Sequence, residues 1–175
     1  MINNVRDIIE KGICSLHDVL LEIRKLASHE DWKKREDAAT ALVEISKKRE
    51  DEVMHGMIIW ADDKNPNIRR VASEGLRGVA RRNPEKILPV IEKLKTDESL
   101  YVRKSIAALL RAISKRDPDF VIELCKMWAK LKNKNTNWII KEGIKKLVDL
   151  QQKELISLLE DKNVECKFNW LLWYI

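Results

Sequence analysis

Apolar and small residues recur four and then three positions apart along most of the chain, and the stripe they draw returns at a fixed interval. Segments "REDAATALVEISKKREDEVM" from Arg35, "RRVASEGLRGVARRNPEKIL" from Arg69 and "RKSIAALLRAISKRDPDFVI" from Arg103 align at a spacing of 34 residues, and "IKEGIKKLVDLQQKELI" from Ile140 follows after a slightly longer interval. In this register Ala38, Ala72 and Ile106 coincide, as do Leu42, Leu76 and Leu110, and Ile45, Val79 and Ile113. Such spacing marks one buried face of a helix, and a period of this length marks a repeat array. Asn-Pro at residues 83 and 84 and Asp-Pro at 117 and 118 each join a helix-capping side chain to a proline suited to the first helical turn. Each repeat is therefore expected to be a helical hairpin. The pattern predicts helices near 3–13, 15–28, 31–48, 50–62, 66–82, 84–96, 99–115, 118–132, 136–149 and 151–160. The domain reading is one solenoid over residues 1–160, with the aromatic tail "VECKFNWLLWYI" ending a segment 161–175 that packs on the last repeat or extends it.

Composition agrees with an all-α chain: there are only 5 Gly and 4 Pro among 175 residues, and no alternating run stands out before the last dozen. The net charge of +6 suits an anionic partner such as nucleic acid. Cys14, Cys125 and Cys166 are odd in number and far apart, which argues against a disulfide framework or a zinc site and for a reducing cytoplasm. No apolar stretch approaches the roughly 20 residues that span a bilayer, and the start "MINNVRDIIEKGI" lacks the form of a secretory leader. The expected setting is soluble and cytoplasmic, without a membrane partner.

Segments "DESLYVRKSIAALL" and "DKNPNIRRVASEGL" carry Asp, then a branched apolar residue, then Arg, a pattern similar to HEAT-type repeats. The tetratricopeptide pattern shares the period but requires a tryptophan, glycine and tyrosine set that is not found here. The fold class expected is an all-α, right-handed alpha-alpha solenoid of about four to five HEAT-like hairpins, with the second helix of each hairpin lining the inner surface. Arg69, Arg70, Arg103, Lys104 and Lys141 lie near the starts of such helices and would form a basic stripe. Two readings stay open for Arg69 and Arg103: holding phosphate, or bonding the aspartate of the neighbouring repeat. Arg70 and Lys104 lie about 100° further round the helix, which favours the phosphate role for them.

Glu74 falls between Ser73 and Gly75, four residues after Arg70. An acid beside a small residue on a basic surface suits a cationic ligand, whereas the simpler alternative is an ordinary salt bridge to Arg70. Gly75 within a helix implies a close approach by another backbone or a ligand. Of the six tryptophans, Trp128 reads as core and Trp170 and Trp173 as tail packing. Trp60 and Trp138 stand at helix ends bordering the inner surface, open to stacking on a base or to core packing. No phosphate loop, HExxH or GxSxG is present, and His17, His29 and His55 lack ligand spacing, so neither a metal nor another cofactor is called for.

From Trp60 to Leu147 the phrases "NPNIRRVASEGLR", "LPVIEKLKTDESLYVRKSIAALLRAISKRDPDFVIELCKMW" and "NTNWIIKEGIKKL" resemble the DNA alkylation repair glycosylases built of HEAT-like repeats, the AlkC type more than the AlkD type. The resemblance implies a basic concave surface that cradles alkylated double-stranded DNA, and hydrolysis of the N-glycosidic bond of N3- or N7-alkylated purines. It implies that Glu74 stabilises the sugar oxocarbenium, that Trp60 and Trp138 face the lesion, and that Arg69, Arg70, Arg103 and Lys104 hold the backbone, beside which Lys141 of the basic stripe is also expected to bind DNA. The alternative is a non-catalytic scaffold that binds DNA or an acidic protein partner.

Overall fold

Several helices start where the chain offers a side chain to the first free backbone N–H groups. The computed structural model describes residues 4–148, and every regular element in that span is helical. Asn4 accepts from the backbone of Arg6 at the start of α1 (Val5–Cys14), and Asp31 accepts from Lys33 at the start of α3 (Trp32–Ile45). Between them runs α2 (Leu16–Ala27), and α4 (Glu50–Trp60) follows. Asn65 caps α5 (Pro66–Glu74), which is succeeded by the short α6 (Arg77–Arg82). A 3₁₀ turn (Pro84–Ile87) leads into α7 (Leu88–Leu94), then α8 (Leu100–Ile113), α9 (Pro118–Ala129) and α10 (Lys134–Val148).

Two predicted helices are divided. The segment 84–96 breaks because Pro89 has no N–H to donate, so the regular helix restarts around it and residues 84–87 tighten into 3₁₀ form. The segment 66–82 breaks at Gly75 and Leu76, where the N–H of Leu76 turns back to the carbonyl of Ser73 at 3.2 Å. Here α5 lies hard against α3: a Cβ on Gly75 would stand 2.8 Å from Cβ and 2.9 Å from Cδ1 of Leu42. The close approach foreseen for Gly75 is thus made by a core leucine. Gly75→Ala is expected to cost about 1–2 kcal/mol by overpacking, despite alanine's better helix propensity, as read from urea denaturation.

Helices α3, α5 with α6, α8 and α10 lie side by side, each against the next, and α4, α7 and α9 pack against the helices that follow them. This is the stacked-hairpin solenoid the period predicts. All nine stripe positions named above are buried, from Ala38 to Ile113. The helix expected at 151–160 and the tail 161–175 lie outside the described residues.

Glu50, at the start of α4, clamps the next repeat by accepting from Arg82 and Lys86, both at 2.6 Å. The Lys86 hydrogen bond, with Arg82, holds its carboxyl below the usual carboxylate range. A depressed carboxyl binds fewer protons folded than unfolded, so its contribution is present above the ordinary carboxylate pKa and is lost as pH falls through that range to the folded value. Glu50→Gln should therefore flatten the acid limb of a stability-against-pH curve while leaving the alkaline limb alone.

Candidate nucleic-acid interface

The turns that lead into the inner helices repeat almost atom for atom. His29, Asp63 and Asp97 each accept from the backbone N–H two residues on, at 2.9, 2.8 and 2.8 Å. Arg35, Arg69 and Arg103 each send Nη1 back to the two carbonyls at the same turn: His29 and Glu30, Asp63 and Lys64, Asp97 and Glu98. Arg69 then crosses to the next repeat, donating from Nε and Nη2 to both carboxylate oxygens of Asp97 at 2.6 and 3.0 Å. Arg103 crosses likewise to Oδ1 of Asn135 at 2.5 Å. Arg69 is held above the ordinary arginine pKa, chiefly by its hydrogen bond to Asp97. Of the two roles open to Arg69 and Arg103, the structure displays the inter-repeat ladder.

The ladder changes where it reaches the first repeat. Asp63 is paired with Arg24, so Arg35 does not engage it and reaches instead to the hydroxyl of Tyr101, at 3.2 Å. Tyr101 belongs to α8, two inner helices away from α3. Helices in a flat row stand about 8–10 Å apart, and a contact over two intervals fits a row that curls with this face inward. The same tyrosine receives Arg70, whose guanidinium carbon lies 3.9 Å from the ring centre, with that of Arg35 at 5.5 Å. Arg70 in turn donates from Nε to Oε1 of Glu74 at 2.9 Å, with Nη2 2.8 Å from the same oxygen in an ion pair. Burial draws the Arg70 guanidinium down, but Glu74 outweighs it and the net shift is upward. The Arg35 hydrogen bond, assisted by Arg70, holds the Tyr101 hydroxyl below the ordinary tyrosine range. Arg35→Gln in a Tyr174→Phe background should raise the Tyr101 ionisation toward that range, followed by ultraviolet difference spectroscopy.

The predicted site residues thus part into groups. Arg70 and Glu74 meet on the inner face, as a salt bridge. Lys104 is exposed on α8, and no described hydrogen bond or ion pair engages it. Trp138 is half-buried against the core with the Arg103 guanidinium carbon 5.6 Å from its ring centre. Trp60, read as bordering the inner surface, is 5% exposed and belongs to the core, because the end of α4 turns its indole into the packed layer. Lys141 requires a correction of register. Asn133 receives the N–H groups of Asn135 and Thr136, which places it as the cap equivalent to Asp31, Asn65 and Ser99, and the interval to Ser99 is again 34 residues. Asn137 therefore takes the arginine position and Trp138 the position of Arg70 and Lys104, with Lys141 one turn further along α10. Arg35 and Tyr101 were not singled out from the sequence, although "YVR" lies inside a phrase that carried the resemblance.

A row of stacked α-hairpins with arginine, lysine and aromatic side chains along one face defines a helical-repeat protein. Residues 54–147, more than half of the chain, match the family of the DNA alkylation repair enzyme, and the chain belongs to that family. It is similar to YhaZ of Bacillus subtilis strain 168, with 35% identity over 118 residues, which make up 62% of this chain and 33% of that protein. Among solved structures it is similar to AlkD2 from Streptococcus mutans, with 34% identity and a TM-score of 0.65 over 74% of this chain and 65% of that one. It also resembles the Pseudomonas fluorescens alkylpurine DNA glycosylase AlkC, solved bound to DNA containing an abasic site analog, with 29% identity and a TM-score of 0.58 over 78% of this chain and 44% of that one. The chain thus spans one third of the length of YhaZ and under two thirds of that of AlkD2. Among the described residues no helix is long and apolar enough to cross a membrane, and no group of His, Cys, Asp and Glu could hold a metal ion.

Proposed function

We propose that this chain binds duplex DNA along the hollow side of α3, α5, α8 and α10 and acts on alkylated purines there, releasing the base by N-glycosidic hydrolysis. The observation that carries the reading is the family match over residues 54–147 together with the likeness to an alkylpurine DNA glycosylase solved on DNA. Lys104 and Arg70 are the side chains offered to phosphate, since Arg69 and Arg103 already serve the ladder. Trp138 is the aromatic offered to the lesion. Glu74 is the carboxylate that would stabilise positive charge developing on the sugar, the electrostatic task this bond cleavage sets.

The test is incubation of the purified chain with methylated duplex DNA, with analysis of freed bases, beside a salt titration of duplex binding. The proposal expects free 3-methyladenine or 7-methylguanine, and an affinity that falls steeply as salt rises. A second reading, binding without turnover, is favoured by the Arg70–Glu74 salt bridge, which neutralises the proposed catalytic acid. Salt-sensitive binding with no base released would select it.

A further inference from the structure

Arg70 occupies a place suited to a flat cation. Its guanidinium lies over the Tyr101 ring while its Nε–H donates to one oxygen of Glu74, in an ion pair along the guanidinium edge. An aromatic face and an edge-on carboxylate are together what recognise a planar cation bearing N–H groups along one edge: the ring quadrupole attracts the charge and the carboxylate takes the donors. The Tyr101 ring and the backbone that carries Glu74 are held without Arg70. The Tyr101 hydroxyl is held by Arg35, and the end of α5 that carries Glu74 is held by Gly75 against Leu42 and by Nε of Arg77 on the Glu74 carbonyl at 3.1 Å. The Arg70 side chain remains 23% exposed, which leaves it a way out to solvent.

We infer that Tyr101 and Glu74 form a binding site for a flat, positively charged heterocycle with N–H groups on one edge, and that Arg70 is its built-in occupant, which must swing out before such a ligand enters. An attached competitor acts at an effective concentration in the millimolar range or above, so the intact chain binds the free ligand weakly. When Arg70 leaves, its guanidinium is freed for a phosphate, and the same movement uncovers Glu74. The inference rests on the proposed function for the source of the ligand, and on the geometry alone for the site.

The probe is 7-methylguanosine in mildly acidic buffer, where it is a purine cation, with neutral guanosine as the control of the same shape. Titrated calorimetrically, Arg70→Ala and Arg70→Gln are expected to bind 7-methylguanosine at least about tenfold more tightly than the intact chain. Guanosine should show no gain, and Glu74→Gln added to Arg70→Ala should remove it. No gain in either variant, or an equal gain for guanosine, overturns the inference. Failure of both variants to hold the fold by circular dichroism would make Arg70 a structural prop and overturn it equally. Duplex binding by the intact chain is measured separately: its absence sinks the DNA reading alone, whereas a missing gain for the nucleoside sinks only the site proposed here.

Discussion

Arg69→Ala is expected to lower the stability of the chain by about 3 kcal/mol, a fall in melting temperature of roughly 6–12 °C. The side chain does two jobs at once. Nη1 ties the turn at Asp63 and Lys64 to the helix it precedes, and the Nε and Nη2 edge grips both oxygens of Asp97 in the next repeat. The Asp97 side chain is 5% exposed with Arg69 in place, so truncating Arg69 leaves a sheltered carboxylate whose remaining described hydrogen bond is from the Ser99 N–H. Breaking a buried pair from one side costs several times the net contribution of the pair, because the stranded charge is the larger loss. Arg69→Lys should recover only part, since an ammonium group cannot meet two oxygens in the plane of a fork. Thermal melts of the three chains decide the matter. An Arg69→Ala chain within about 0.5 kcal/mol of the parent would mark an ordinary surface site, free for phosphate.

The ladder also explains which parts of the molecule were legible beforehand. Capping residues at Asp31 and Asn65, with Asp-Pro at 117 and 118, fix helix starts locally, so the hairpins and their period follow from short stretches of chain. The fourth repeat is set three residues late by the apolar stripe, because residues three apart share a face of a helix and the stripe alone tolerates that shift. Only the cap at Asn133 sets the register, and it moves Lys141 out of the basic column and Trp138 into it. Trp60 was ambiguous for a related reason: at the last residue of α4, the helical stripe no longer says which way a side chain faces.

The core of the site was hidden for a different reason. Tyr101, at 38% exposure, adds nothing to the apolar period, and Arg35 has the same sequence surroundings as two arginines that serve the ladder. Their meeting depends on the curl of the whole row and on Arg24 having taken Asp63, both of which are tertiary facts. The Arg70–Glu74 pair, by contrast, was readable from four-residue spacing as the simpler of two alternatives, and the structure displays that pair. Its setting over an aromatic ring is what allows the pair to be more than a surface salt bridge.

Glu74→Gln is expected to slow release of alkylated bases from methylated DNA by about a hundredfold or more, while duplex affinity stays within a factor of two or so. The substitution keeps an oxygen where Arg70 and any incoming N–H group find one, and removes only the negative charge. Charge is what the reaction needs: as the glycosidic bond lengthens, positive charge collects on the sugar, and a fixed carboxylate in a partly water-excluded hollow stabilises it without reorganising. The Glu74 side chain is 14% exposed, sheltered enough for that interaction to be weakly screened. Duplex binding, on the function proposed above, draws on Lys104 and on Arg70 reaching phosphate, and neither cation is lost. Single-turnover measurements of freed 3-methyladenine and 7-methylguanine separate the two quantities, since chemistry is then read apart from product departure. Equal release by the parent chain and the Glu74→Gln chain would remove Glu74 from the reaction. If that equality came with intact duplex binding, the role of Glu74 would be to hold Arg70 over Tyr101, and the acid for the chemistry would have to be sought on another helix of the hollow.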